Sequence, residues 1–183
     1  EEGVFEKSES TIIKNLLRFD EVFVKDIMTP RAVMKIASEK KTIREFFEDN
    51  PKMRFSRIPV YGEKMDHIDG FVLKDNILEE MVNENGDIPL SEIKREILVT
   101  ERRTPIPKLF ETLIAKREHI ALVVDEYGSV SGLVTMEDVI ETLLGLEIMD
   151  ESDNVADLQD LARKNWENRA QRAGILESKL NKK

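Results

Sequence analysis

The residues best suited to chemistry stand together in the last third of the chain, in the segment that contains Thr135, Glu137 and Asp138. This segment opens a stretch with helical apolar spacing, so Asp138 is expected in the first turn of a helix. Unpaired N–H groups and the helix dipole favour phosphate oxygens there, beside a hydroxyl such as that of Thr135. A carboxylate in the first turn can accept hydrogen bonds from sugar hydroxyls. The same spacing fits a capping box that only stabilises the helix start, and both interpretations can hold at once.

The other polar residues give little support to catalysis. The chain has no cysteine and two histidines, His67 and His119, which lie far apart and form no metal-binding pattern. It contains no glycine-rich phosphate loop of the P-loop type. Glu137 and Asp138 are neighbours on a helix and point about 100° apart, which is poor geometry for an acid–base pair. We therefore predict that the chain is not an enzyme.

The composition describes a folded, acidic protein. The net charge is −9, and nucleic acid is not expected as a partner because its binding relies on clustered Lys and Arg. Hydrophobic residues make up 40% of the chain, which is enough for a packed core. No apolar run reaches the roughly 18 residues that cross a bilayer. Because the sequence starts at Glu1 without a methionine, we expect a fragment of a longer protein.

An internal repeat is the most informative feature of the sequence. Residues 57–79 superimpose on residues 119–141 at a shift of about 62 positions without a gap. Each unit is predicted to fold as strand, helix, strand, turn, strand and helix. A unit of about 60 residues has little core of its own, so we expect the two sheets to pack against each other. The expected helices are 42–49, 75–84, 105–117 and 136–147, and the expected strands are 32–37, 57–61, 68–73, 97–100, 119–124 and 130–134.

The two ends of the chain are expected to be helical. Residues 8–19 carry an apolar stripe at helical spacing and are predicted to form an amphipathic helix. The last segment begins with acidic residues and continues into a helix that Trp166 is expected to anchor. The predicted division of the chain is an N-terminal helical segment at 1–20, a first repeat at 21–86, a second repeat at 87–148, and an acidic linker and tail at 149–183.

Three motifs, in order and correctly spaced, resemble a known family: Val24-Lys-Asp-Ile-Met-Thr-Pro-Arg31, Ser56-Arg-Ile-Pro-Val-Tyr61 and Gly132-Leu-Val-Thr-Met-Glu-Asp-Val-Ile-Glu141. Together they resemble the cytosolic pair of cystathionine-β-synthase (CBS) repeats of the CorC/CNNM family. These are membrane proteins linked to magnesium and cobalt handling and often labelled hemolysin-like. The resemblance covers roughly residues 1–150, and it implies that residues 1–20 are a connector helix from a membrane domain that this sequence does not include. It implies an α+β fold of α/β-type repeats, in which two small sheets with packed helices form one pseudo-two-fold Bateman module.

The resemblance also implies an adenine-nucleotide site in a cleft between the repeats. Phe55 stands where the family has an aromatic ring that stacks on adenine, although it could instead belong to the core. Asp138 would accept the ribose hydroxyls, and Thr135 would meet the phosphates. Arg57 could add positive charge to the phosphates or could lie on the surface without a ligand role. The implied nucleotide-binding residues are Ile36, Ala37, Phe55, Ser56, Arg57, Ile58, Pro59, Thr135, Glu137 and Asp138.

The two repeats differ at the positions of the candidate site. Where the second repeat has its hydroxyl and its two acids, the first repeat has Leu73, Asp75 and Asn76. Leucine cannot donate to a phosphate and asparagine carries no charge for a ribose, so we expect one nucleotide per chain. Glu137 and Asp138 would repel a bare triphosphate, and a Mg²⁺ ion held by phosphates and water would relieve that repulsion. Mg-ATP is therefore favoured, although ADP or AMP would meet the same side chains.

The expected function is regulation of an attached membrane domain that transports magnesium or cobalt. Nucleotide binding would favour one arrangement of the repeats and of a homodimer, and the connector helix would carry the change to the membrane domain. The resemblance implies the homodimer and a position at the cytoplasmic face of the cell membrane. A function of another class stays open, namely a purely structural homodimerisation module without a physiological ligand.

Overall fold

The computed structural model describes residues 12, 13, 16, 17 and 19–144, which fold into two small sheets with packed helices. Residues 12, 13, 16 and 17 are helical. The strands are Thr29–Pro30 (β1), Ala37–Ser38 (β2), Arg57–Tyr61 (β3), Ile68–Leu73 (β4), Leu98–Glu101 (β5), Ile120–Val124 (β6) and Val130–Thr135 (β7). The α-helices from Val24 onward are Val24–Ile27 (α1), Ile43–Asp49 (α2), Lys74–Val82 (α3), Ile106–Lys116 (α4) and Met136–Leu144 (α5).

The first repeat forms a three-stranded sheet in the order β2-β3-β4, with β2 parallel and β4 antiparallel to β3. Helix α2 starts after Thr42, whose hydroxyl accepts the Glu45 N–H at 3.2 Å while the Glu45 carboxylate accepts the Thr42 N–H at 3.0 Å. This capping box supplies partners for N–H groups that have none inside the helix. The cluster between the sheet and its helices contains Ala37, Ile43, Phe46, Ile58, Val60, Val72, Ile77 and Leu90.

The second repeat forms a four-stranded sheet in the order β1-β7-β6-β5. Strand β6 is buried along most of its length, as its uninterrupted apolar sequence predicts for a strand covered on both faces. Ala121 and Val123 join the helix-covered cluster, whereas Ile120 and Leu122 point to the opposite face because side chains alternate along a strand. The cluster contains Phe19, Val24, Met28, Ile106, Leu109, Leu113, Ala121, Val123, Val134 and Val139.

The sheet faces that carry no helices are buried as well. Ile68, Phe71, Ile120 and Leu122 are at most 9% exposed, yet they belong to neither helix-covered cluster. Their cover therefore comes from the other repeat and from the connecting segments. Ile68 and Val130, one from each repeat, line the same cavity. This arrangement agrees with the expected α+β module, in which the two sheets cover each other's apolar faces.

The N-terminal arm, which we define as residues 19–33, precedes the first repeat in the sequence but packs on the second repeat and completes its sheet. Its strand β1 pairs antiparallel with β7, and its backbone is hydrogen-bonded to the segment that leads into α4. Phe19, Val24 and Met28 of the arm fill the cluster under the second sheet. The predicted first repeat at 21–86 thus includes residues that pack with the second repeat, and the division into domains stays a prediction.

The inter-repeat linker, which we define as residues 86–95, completes the first repeat in the equivalent way. Arg95 and Phe71 exchange two backbone hydrogen bonds, with N···O distances of 2.8 and 3.0 Å. Leu90 is fully buried in the cluster under the first sheet. The arm, which precedes the first repeat, therefore completes the second repeat. The linker, which precedes most of the second repeat, completes the first.

A glycine lies in the receiving strand at each of these two crossings. A Cβ atom on Gly132 would lie 2.3 Å from the Thr29 carbonyl oxygen, and one on Gly70 would lie 2.3 Å from the Arg95 carbonyl oxygen. Real Cβ atoms do not approach backbone oxygens so closely. The two backbones can meet only because these positions have no side chain.

The expected strand at residues 32–37 is wrong. Arg31–Val33 form a 3₁₀ turn, and only Ala37–Ser38 pair with a neighbour, as β2. The apolar residues of this stretch predicted a strand because they fit an extended chain between two sheets. Strand β1 ends at Pro30 in the sheet of the second repeat, and β2 begins at Ala37 in the sheet of the first, so residues 31–36 cross from one sheet to the other. The alternation of side chains gives no signal of that crossing.

The gapless superposition of the repeats is also wrong. The β-bulge follows Val60 in the first hairpin and Val123 in the second, so β3 matches β6 at a shift of 63. Gly70 and Gly132 pair with these residues, and β4 therefore matches β7 at a shift of 62. The first hairpin turn is one residue longer than the second, which a comparison of apolar patterns does not detect.

The other expected elements agree with the structure to within two residues where it describes them. Helix α5 is described as far as Leu144, so the end of the expected helix 136–147 lies outside the described residues. Most of the expected connector helix 8–19, the tail at 149–183 and Trp166 lie outside them as well. These parts of the prediction stay expectations.

Candidate functional site

The junction between β7 and α5 forms the centre of the candidate site. Asp138 Oδ2 accepts the backbone N–H of Thr135 at 2.7 Å and the Thr135 hydroxyl at 2.9 Å. In return, the Asp138 N–H donates to Thr135 Oγ1 at 3.2 Å. The capping-box interpretation is therefore confirmed. The two side chains satisfy each other at a helix start, and their ligand role stays a prediction.

Burial raises the pKa of Asp138 from its ordinary value of 3.8 to about 6. Loss of water disfavours the carboxylate, and the two hydrogen bonds from Thr135 oppose this effect without cancelling it. The nearby carboxylates of Glu141 and Glu137 raise the pKa further. A desolvated carboxyl group at a helix start is a feature that ligand sites share. Near pH 7 the group is mostly ionised and can accept hydrogen bonds from hydroxyl groups.

Glu137 is exposed and lies next to Asp138 in the first turn of α5. No group of three His, Asp or Glu residues within the described part of the chain could hold a metal ion. A magnesium ion at this junction would therefore take most of its ligands from phosphates and water, which is its usual mode of binding beside nucleotides.

Phe55, Ser56 and Arg57 lead into strand β3. Phe55 is 37% exposed and belongs to neither hydrophobic cluster, so its alternative role as a core residue has no support. The Ser56 carbonyl accepts the N–H of Lys74 at 2.9 Å, which fixes this segment to the start of α3. Arg57 is half-buried, pairs with Leu73 across the sheet and takes part in none of the ion pairs between described residues.

The other apolar residues expected at the nucleotide site, namely Ile36, Ala37, Ile58 and Pro59, are mostly core residues. Ala37 and Ile58 are 6% and 5% exposed and pack in the cluster under the first sheet. Pro59 is buried in β3. Ile36 is half-buried and borders a cavity between the repeats. Of the apolar residues proposed to contact adenine, Phe55 and Ile36 therefore present the most accessible surface.

The corresponding end of the first repeat lacks this chemistry. The counterparts of the hydroxyl and the carboxylate are Leu73, at the end of β4, and Asn76, in the first turn of α3. Because β3 matches β6 at a shift of 63, the counterpart of Arg57 is Ile120. The two ends of the module are thus chemically different in hydroxyl, acid and basic residue, which supports the expected asymmetry.

Sequence reasoning missed a cavity of about 290 Å³ that lies between the arm, the first hairpin turn and the start of β7. Arg31 and Asp66 form an ion pair at this cavity. The other lining residues are Met34, Ile36, Met65, Ile68 and Val130. The only signal in the sequence was Arg31 in the Met-Thr-Pro-Arg motif, because the remaining residues come together through the packing of the two repeats.

Comparisons with known proteins agree with this geometry. The family model of the CBS domain matches residues 87–145. The solved CBS domain of the bacterial CNNM/CorC family Mg²⁺ transporter is 34% identical, with a TM-score of 0.74, over 82% of this chain and 91% of that chain. The same domain in complex with ATP is 32% identical, with a TM-score of 0.71, over 75% of this chain and 98% of that chain. The magnesium and cobalt efflux protein CorC of Escherichia coli is 34% identical over 149 residues, which is 80% of this chain and 51% of CorC.

The repeats, the two sheets and these matches define a CBS-domain pair. The chain belongs to the CorC/CNNM family. It spans about half the length of the curated relatives it matches. In the part of the chain that the structure describes, no helix has the length and apolar character needed to cross a membrane.

Proposed function

We propose that this chain is a regulatory module that binds Mg-ATP at the β7–α5 junction and controls an attached membrane domain for magnesium or cobalt transport. The observation that carries the proposal is the desolvated carboxyl group of Asp138, hydrogen-bonded to Thr135 at a helix start. The ATP complex of the related CBS domain supports the choice of ligand. Catalysis is not part of the proposal, and its absence stays a prediction.

Binding would exchange the hydrogen-bond partners within this junction. The Thr135 hydroxyl has one hydrogen, and that hydrogen is directed at Asp138 in the structure. Ribose hydroxyls would donate to Asp138 in its place, and the hydroxyl of Thr135 would turn to a phosphate oxygen. The N–H groups at the start of α5 favour the phosphate at that position. Ligand binding thus replaces the internal hydrogen bond and leaves no polar atom without a partner.

Residues of the first repeat would complete the site. Phe55 offers an accessible aromatic face on which adenine could stack, and Arg57 offers a guanidinium that no described carboxylate neutralises. Ser56 would form the adjoining backbone, and the buried residues Ile58 and Pro59 would support this segment from within β3. Magnesium would bind the phosphates and offset the negative charge of Glu137 and Asp138. ADP and AMP would meet the same junction with less need for the metal.

The proposed setting is the cytoplasmic face of a membrane, as a homodimer joined to a transport domain. Names of the relatives support the link to magnesium and cobalt. An exposed apolar stripe on α3 supports the homodimer, since Leu78 and Val82 lie one helical turn apart and are 38% and 83% exposed.

Calorimetric titration of the chain with ATP, with and without Mg²⁺, tests the proposal. We expect saturable binding of one nucleotide per chain, strengthened by Mg²⁺ and lost in Asp138→Ala. Asn76→Ala is the matched control, because Asn76 occupies the corresponding position of the first repeat, and this variant is expected to bind like the wild type. Binding that survives Asp138→Ala but is lost in Asn76→Ala would place the ligand at the other end of the module.

The competing proposal is a purely structural homodimerisation module. The capping box by itself favours it, because the hydrogen bonds of Thr135 and Asp138 are already complete without a ligand. This alternative predicts no heat of binding at millimolar ATP, ADP or AMP. A dimer that forms equally well with and without Mg-ATP, together with the absence of binding, would establish it.

A further inference from the structure

The strand and helix that meet at the candidate site are also the ones that hold the N-terminal arm. Strand β7 ends at Thr135, and its outer edge pairs with β1 of the arm through the register Thr29 to Leu133 and Pro30 to Gly132. Helix α5 starts at the next residue and contacts α1 of the arm. The site and the attachment of the arm are therefore only two to three residues apart along one strand.

A second connection runs through the hydrophobic cluster. Met136 lies between the two polar residues of the site and packs against the cluster under the second sheet. Val24 and Met28 of the arm are buried in that cluster, with 0% and 8% of their surface exposed. A shift of the first turn of α5 would therefore move a side chain that packs against the same cluster as the arm.

We propose that residues 19–33 are the output element of this module, and that nucleotide at the β7–α5 junction strengthens the attachment of this arm to the second repeat. The inference rests on the proposed function, because it needs a ligand at Thr135 and Asp138. It adds that the signal leaves through the second repeat, directly from the strand and helix that bind the ligand. The arm follows the helical residues 12, 13, 16 and 17 in the chain and so carries the change toward the N-terminus.

The inter-repeat linker supplies an internal control. It is held by the first repeat through Phe71 and Arg95 and through the buried side chain of Leu90, in the same way as the arm is held by the second. The strand that holds it ends at Leu73, which has no hydroxyl for a phosphate. The proposal therefore predicts a larger response in the arm than in the linker, although the two attachments are equivalent in the fold.

Hydrogen–deuterium exchange of the full chain, with and without saturating Mg-ATP, tests this prediction. We expect exchange of the backbone amides in residues 19–33 to slow by about fivefold, which is the lower end of usual coupling between sites. The amides of residues 86–95 are expected to change by less than the arm in the same samples. Saturation is established by calorimetry on the same preparation, and Asp138→Asn serves as the chain with impaired ligand binding.

Coupling must also act in the reverse direction, because linkage between two binding events is reciprocal. Met28→Ala removes an arm side chain from the second cluster, and Leu90→Ala removes a linker side chain from the first. We expect Met28→Ala to weaken Mg-ATP binding by about fivefold and Leu90→Ala to leave the affinity unchanged. Both variants are compared at a temperature at which circular dichroism shows them folded.

The outcomes separate the two proposals. Saturable Mg-ATP binding with no slowing of exchange in the arm, or with equal slowing in arm and linker, overturns the output role and leaves nucleotide binding intact. Equal loss of affinity in Met28→Ala and Leu90→Ala overturns it as well. No heat of binding at millimolar Mg-ATP removes the proposed function and the output role together.

Discussion

At the scale of single residues, Thr135 and Asp138 show how a helix cap and a ligand site can occupy the same atoms. The spacing of the two residues predicted both uses, and the structure confirms the cap. The raised pKa of Asp138 could not be predicted from spacing, because it arises from burial under neighbouring chain segments and from the charges of Glu137 and Glu141. The same holds for the exposure of Phe55, which depends on where the loop before β3 lies.

Asp138→Asn is expected to change how stability depends on pH. The native protein keeps a proton on Asp138 between pH 3.8 and about 6, where the unfolded chain has released it. The native state therefore binds more protons in this window, and the free energy of unfolding falls as the pH rises through it. A shift of about two units corresponds to at most roughly 3 kcal/mol. Asparagine does not titrate, so the free energy of unfolding of the variant should not show this fall. The variant should therefore become more stable relative to the wild type as the pH rises from 3.8 to about 6.

Urea unfolding of both chains at several pH values from 4 to 7 measures this effect. The relevant quantity is the difference between the two free energies of unfolding, because other titrating groups contribute equally to both chains. A difference that stays constant over the range would show that the carboxyl group of Asp138 titrates at its ordinary pKa and is not desolvated.

Thr135→Val and Thr135→Ser distinguish the contribution of the Thr135 hydroxyl group from the contribution of its branched side-chain shape. Valine keeps the branched side chain but removes the donor to Asp138 Oδ2. We expect the pKa of Asp138 to rise further and ATP affinity to fall on the order of tenfold, since hydrogen bonds to charged groups contribute about 1.5–3 kcal/mol. Serine keeps the hydroxyl and should bind within about twofold of the wild type. Calorimetry measures the ATP affinity of the two variants. Equal affinities of Thr135→Val and Thr135→Ser would exclude a role for the hydroxyl group in binding.

At the scale of elements, the sequence predicts those helices and strands that depend on interactions between residues close together in the chain. The capping box at Thr42 marked the start of α2, and the apolar run at 120–124 marked a strand covered on both faces. The stretch 32–37 is not the strand that its apolar pattern predicts, because its conformation depends on an arm bound to a strand about a hundred residues away in sequence. The extra residue in the first hairpin turn was missed for a related reason, since apolar patterns constrain strands and leave turn length undetermined.

Gly132→Ala and Gly70→Ala test the two backbone crossings. In each variant the new Cβ would lie 2.3 Å from a carbonyl oxygen, of Thr29 in one case and of Arg95 in the other. We expect each substitution to lower the free energy of unfolding by about 1–3 kcal/mol, as overpacking usually does. Gly132→Ala should also speed hydrogen exchange in the arm, and Gly70→Ala should speed it in the linker. Urea unfolding within about 0.5 kcal/mol of the wild type for both variants would contradict the close approach.

At the scale of the whole molecule, the exchange of segments joins two small repeats into one module. Each repeat alone would leave an edge of its sheet and part of a hydrophobic cluster without cover, because Leu90 and the arm residues Val24 and Met28 fill clusters beneath the two sheets. The sequence predicted that the repeats depend on each other from their size. It could not predict which segment completes which repeat, because the local pattern of the motif at 24–31 is the same whether the motif packs on the first repeat or on the second.

We propose that the homodimer forms through the exposed apolar stripe on α3, and a matched pair of substitutions tests this proposal. Val82 is 83% exposed on α3 and Val99 is 55% exposed on β5, so a glutamate at either position places the same charge on a different surface. Leu78 adds to the stripe on α3, whereas β5 is the edge of its sheet and would pair through its backbone. We expect Val82→Glu to shift the chain from dimer to monomer in sedimentation velocity, since charges at the centre of an interface must lose their water, and Val99→Glu to leave the dimer intact. A dimer that is lost only in Val99→Glu would instead mean that the modules associate through the sheet edge, and α3 would then be available for a different contact.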